Sequence, residues 1–210
     1  MVALHLPARD DAARARLQEV AGRVRPTVAA GDRLLSVSGP LAALLPGGGL
    51  QRGSTVAIDG CPGAGATTLA CTLAAAATAT GEWAAIVDPS GTFGARAAAA
   101  AGVELERCAV VRYVPPDRWA TVVAALLDGV ALVAATIPLH LRAGDARRLV
   151  ARARERASVL VALGPWPVEA ALRVHAEGST WSGTGLLATR DMQVSVETRG
   201  RRNEARAVAG

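Results

Sequence analysis

The residues whose types and spacing could do chemistry are Gly60-Cys61-Pro62-Gly63-Ala64-Gly65-Ala66-Thr67-Thr68. Their spacing matches the phosphate-binding pattern G-x-x-x-x-G-K-[ST] at Gly60, Gly65 and Thr67. In that pattern the glycines let backbone N–H groups turn toward phosphate oxygens. The helix that follows adds its positive end, and the Thr hydroxyl ligates magnesium. The lysine that should neutralise the outer phosphates is Ala66 here. No lysine occurs anywhere in the chain, where all 23 basic residues are Arg. An arginine can substitute in principle, but none lies within this loop.

The lysine is not the only missing charge. Nucleotide-hydrolysing sites of this kind keep an Asp at the end of a buried strand to organise magnesium. The corresponding run, Val130-Ala131-Leu132-Val133-Ala134-Ala135-Thr136, carries no acid. Another strand ends Val87-Asp88-Pro89-Ser90, which leaves Asp88 as the one carboxylate expected near that edge of the sheet. Without the lysine charge, a partly dry site loses a large share of its transition-state stabilisation. The expectation is a chain that is not an enzyme, with no cofactor and no metal, whose loop survives as a strand-to-helix turn.

The elements that must position this loop are legible as runs. Ser54–Asp59, Trp83–Asp88, Cys108–Tyr113, Val130–Thr136 and Val159–Leu163 are continuous apolar segments. They alternate with helical segments at Ala66–Thr80, Phe93–Ala101, Arg118–Leu127 and Asp145–Ala157. Apolar runs without alternation are what a parallel sheet covered on both faces requires. The order predicts a doubly wound α/β fold. Near the end, Leu172, Val174 and Ala176, and then Met192, Val194 and Val196, alternate with polar residues, which predicts antiparallel edge strands. Residues 10–24 read as an amphipathic helix within an N-terminal extension, 1–30. A core domain over 31–199 and a disordered basic tail over 200–210 complete the expected organisation.

Bulk properties agree. The chain is 51% hydrophobic and only 3% aromatic, so its core must be built from Ala, Val and Leu. Cys61, Cys71 and Cys108 form no CxxC pair, which argues against a disulfide framework or a zinc site. The start of the chain, 1–9, has no apolar stretch of signal type, and the longest low-charge stretch, 69–80, is too short to cross a bilayer. A cytoplasmic location is expected.

The stretch LLPGGGLQRGSTVAIDGCPGAGATTLA resembles the segment leading into the phosphate loop of RecA-type recombinases. The similarity continues through EWAAIVDPSGTFGARAAAAAGVELERCAVVRY. It implies a RecA-like core over 31–199, with Ser90 where the catalytic Glu belongs and Ala135 at about the place of the magnesium-organising Asp. The stretches matching the recombinase's two DNA-binding loops are short, holding only 137–144 and 164–169. The chain is most similar to the ImuA family, in its shortened actinobacterial ImuA-prime form. That resemblance implies an accessory protein of the DNA-damage (SOS) mutasome. Its implied partners are an ImuB-like Y-family polymerase homologue and, through it, a DnaE-type error-prone polymerase in translesion synthesis. Two other readings stay open at this point, an ATP-dependent recombinase-like repair protein and a cell-division inhibitor of the SulA type.

Contact surfaces follow from charge and from exposed aromatics. Arg148, Arg152 and Arg156 form an i, i+4, i+8 stripe, and Arg199, Arg201 and Arg202 open the basic tail. Either could touch DNA phosphate or an acidic partner. Trp166, between two prolines, and Trp181, amid Gly and Ser, read as loop residues able to anchor an interface. His5, His140 and His175 share no catalytic or metal spacing and read as structural.

Overall fold

The computed structural model describes residues 2–5, 34–183, 189–198 and 201–209. The helix expected over 10–24 lies outside them. In chain order the elements are β1 (Val2–His5), β2 (Leu34–Ser36), β3 (Gly49–Gln51), β4 (Thr55–Gly60), α1 (Ala66–Thr78), β5 (Ala84–Asp88) and α2 (Ala95–Ala100). There follow β6 (Cys108–Arg112), α3 (Pro116–Leu127), β7 (Leu132–Thr136), α4 (Ala143–Arg156), β8 (Val159–Leu163), β9 (Leu172–Ser182), β10 (Thr189–Thr198) and β11 (Arg201–Ala209).

Nine strands form one sheet in the order β1-β6-β5-β7-β8-β4-β9-β10-β11, while β2 and β3 pair separately. From β1 to β9 neighbours run parallel, and β10 is antiparallel to both β9 and β11. The fold is therefore mixed α/β with a mostly parallel sheet and antiparallel strands at one side, as the apolar runs predict. One expectation fails. The segment after Gly200 is a strand, with nine register pairs from Thr198↔Arg201 to Arg190↔Ala209. Its segment carries few large apolar residues, and backbone pairing with β10 is what its sequence leaves unrecorded.

Alternation sorts each strand between two cores. Val56 and Ile58 face α1 and α2 with Leu69, Leu73, Ala77 and Ala98, whereas Ala57 faces α3 and α4 with Trp119, Val123, Leu126, Leu149 and Ala153. Alanine-lined helices can approach a sheet closely, which suits a core with few aromatics. Helix ends carry the expected chemistry. Pro116 opens α3 with Asp117 in its first turn, and α4 has Asp145 in its first turn and Arg154 and Arg156 in its last, matching the helix dipole.

Candidate functional site: the glycine-rich loop and its arginine

The loop lies between β4, deep in the sheet, and the N-terminus of α1, so the fold delivers it to the C-terminal edge of the strands where ligands of α/β proteins bind. Two of its glycines are required by packing. Gly60 (φ 154°) lies so close to the Ala176 carbonyl and methyl on β9 that a Cβ would collide with both. At Gly65 (φ 113°) a Cβ would come within 2.5 Å of Met192 Sδ and 3.4 Å of Arg190 Nη2, both on β10. Gly63 (φ 83°) has open space around it and is needed for the left-handed turn alone.

The residue that contacts this loop was missed by sequence reasoning. Arg190, from β10, donates from Nη2 to the Gly63 carbonyl (2.5 Å) and to Ser179 Oγ (2.9 Å), and from Nη1 to Thr68 Oγ1 (3.1 Å). Ser179 donates in turn to the Gly63 carbonyl at 3.1 Å. The guanidinium carbon stands 5.1 Å from the centre of the Trp181 ring, a cation–π contact. A cation thus does reach the loop, from a distant strand and not from within it. The one available signal was its parity: Arg190 shares the face of Met192, Val194 and Val196, which makes it a charged residue on an apolar side.

On the other side of the loop Thr67 is exposed and Ala66 offers only a methyl group. Thr67, Asp88, Thr92, Phe93 and Thr136 line a cleft of about 100 Å³, well below the roughly 300 Å³ at which small-molecule pockets begin. Asp88 is buried and committed to its own turn. Its Oδ1 accepts from Ser90 Oγ (3.1 Å) and from the Gly91 N–H (3.1 Å), and its Oδ2 accepts from the Phe93 N–H (2.7 Å). Ser90 therefore serves this turn. Ala135, at about the place of the magnesium-organising Asp, is buried in the core against α3 and α4, and the neighbouring Thr136 lines the cleft. Among the described residues no cluster of three or more His, Cys, Asp or Glu is placed to hold a metal ion.

Residues 43–168, more than half of the chain, match the family described as MT3502 N-terminal domain. The chain belongs to that family. Among curated proteins none matches it. The match to the MT3502 N-terminal domain takes in the loop and Asp88 but stops before β9. Ser179, Trp181 and Arg190 consequently lie beyond the matched segment.

The other expected site residues of this MT3502 N-terminal domain protein fare unevenly. Trp166 is no interface anchor. It is 5% exposed and packs in the core that faces α3 and α4, because the segment between Pro165 and Pro167 dips inward. Trp181 is 48% exposed as expected, but it stands on β9. The arginine stripe on α4 is largely neutralised. Arg152 makes a two-pronged pair with Asp128 (Nε 2.5 Å, Nη2 2.6 Å), Arg156 Nε reaches the same carboxylate at 3.1 Å, and Arg148 pairs with Asp145. The Asp128 hydrogen bond raises the Arg152 pKa above the ordinary guanidinium value. Arg201 and Arg202 lie on β11, and Arg199 falls outside the described residues. His175 has an acid partner that its spacing hid. It pairs through Nδ1 with Asp59 on β4 and lies 3.9 Å through Nε2 from Glu197 on β10, tying three strands together. The short stretch from Ile137 carries Leu139, 85% exposed on the rim of a cleft that also touches Trp119. Among the described residues no helix is long and apolar enough to cross a membrane.

Proposed function

We propose that this chain is a non-catalytic RecA-like adaptor that supports error-prone translesion synthesis after DNA damage by binding an ImuB-like polymerase homologue. The observation that carries the non-catalytic half is Ala66 in the lysine's place, with the neighbouring polar groups engaged elsewhere. Ala66 has no amine, both Asp88 oxygens are taken by its own turn, and the Gly63 carbonyl and Thr68 hydroxyl are held by Arg190. Supplying charge to a transferring phosphoryl group is most of what such sites do, so a site without free charge has little catalytic means.

The RecA-like reading is supported by a loop of this spacing after a central strand, and by a parallel sheet completed with an antiparallel hairpin on the loop's side. The biological setting rests on the resemblance to the ImuA family. Exposed Leu139 and Trp181, together with the edge strand β11, give a binding protein surfaces to use. Two measurements on the purified full chain test the proposal. Magnesium-dependent ATP turnover should equal the protein-free background, and Thr67→Ala should change nothing. Co-purification should capture an ImuB-like polymerase homologue and not FtsZ. Turnover that Thr67→Ala abolishes would restore the recombinase-like reading, and capture of FtsZ alone would establish the cell-division reading.

A further inference from the structure

We infer that Arg190 is the internal ligand of the glycine-rich loop, a clasp that fastens the β9–β10 hairpin to the N-terminus of α1. The inference stands independently of which partner the chain binds.

The polarity of the loop carries it. Here the apex offers a carbonyl, Gly63 O, to a guanidinium at 2.5 Å and to the Ser179 hydroxyl at 3.1 Å. Thr68, in the first turn of α1, accepts from the same guanidinium. The loop therefore works as an acceptor of the protein's own cation. The three acceptors belong to three elements: the loop, α1 and β9. One planar fork thus fixes their relative positions, which a flexible lysine head would not do.

Sterics point the same way. A Cβ at Gly60 would strike β9 and a Cβ at Gly65 would strike Met192 on β10, so both glycines admit the hairpin. Trp181 stands over the guanidinium in a cation–π contact. The glycine spacing here serves a tertiary contact.

Amide hydrogen exchange on the full chain tests the clasp. Arg190→Met keeps the length and apolar stem and removes every donor. It should speed exchange at least tenfold in 60–69 and 189–194 and leave β5, β6 and β7 unchanged. Arg190→Lys should recover part of that protection, and Ser179→Ala should raise exchange in the same two segments by a smaller factor. Unchanged exchange in Arg190→Met would overturn the inference. So would calorimetric binding of pyrophosphate to the wild-type protein that Arg190→Met abolishes, since Arg190 would then be a group that binds a foreign anion. Should Arg190→Met fail to fold, Ser179→Ala decides the matter: a rise confined to the two segments supports the clasp, and no rise, or a uniform one, refutes it.

Discussion

Cys61 sits exposed in the loop, whereas burial pushes the thiols of Cys71 and Cys108 up to about 11, with the adjoining Cys71 adding to the effect at Cys108. At neutral pH both buried thiols are protonated and out of reach. Brief maleimide treatment of the folded protein should give one adduct by intact mass, on Cys61. Two or three adducts without denaturant would contradict the burial of Cys71 on α1 and Cys108 on β6. The raised values also set an alkaline limit. The unfolded chain releases these protons first, near the ordinary thiol value of 9, so the stabilisation is complete below that pH. It declines as pH rises from about 9 toward 11, and the melting temperature should fall across that window more steeply in wild type than in Cys108→Ala.

Among the elements, α4 ends on Ala157 in the left-handed region (φ 53°, ψ 26°), a position that favours glycine. Ala157→Gly should relieve about 1–2 kcal/mol of strain, less the roughly 0.4–1 kcal/mol of entropy that glycine adds to the unfolded chain, a net gain of about 0.5–1 kcal/mol. For a chain of this size that is a rise of roughly 1–3 °C in Tm by calorimetry, and a fall would mean the helix end is held by something other than its turn. The same element shows what a sequence can and cannot disclose. Both α4 and the strands β4 to β8 were readable because burial on one face or on two leaves a periodic or continuous apolar record. Strands of three or four residues, such as β2 and β3, are too short to leave one, and the β11 segment carries few large apolar residues. Trp166 misleads because flanking prolines mimic an exposed loop. The loop itself was legible, but its ligand was not: Arg190 stands 127 residues from Gly63, and only the topology that sets the β9–β10 hairpin beside β4 brings them together.

Across the whole molecule, a net charge of +5 is less available than the count of arginines suggests. Asp128, at the end of α3, holds both Arg152 and Arg156 of α4 and joins two helices on one face of the sheet. Asp128→Asn should cost about 1 kcal/mol or less, as partly exposed pairs do. It should also free two charges on one face, so that retention on a DNA column rises and becomes more sensitive to salt. Retention equal to wild type at every salt concentration would mean that this face does not meet nucleic acid even when uncovered. The long separation between Gly63 and Arg190 has a consequence in time. During synthesis at about 5–20 residues per second, the loop is made roughly 6–25 s before the arginine that closes it. For that interval the loop lacks its arginine, and β4 gains its sheet neighbours β8 and β9 only late in synthesis, so the last strands both complete the sheet and close the loop.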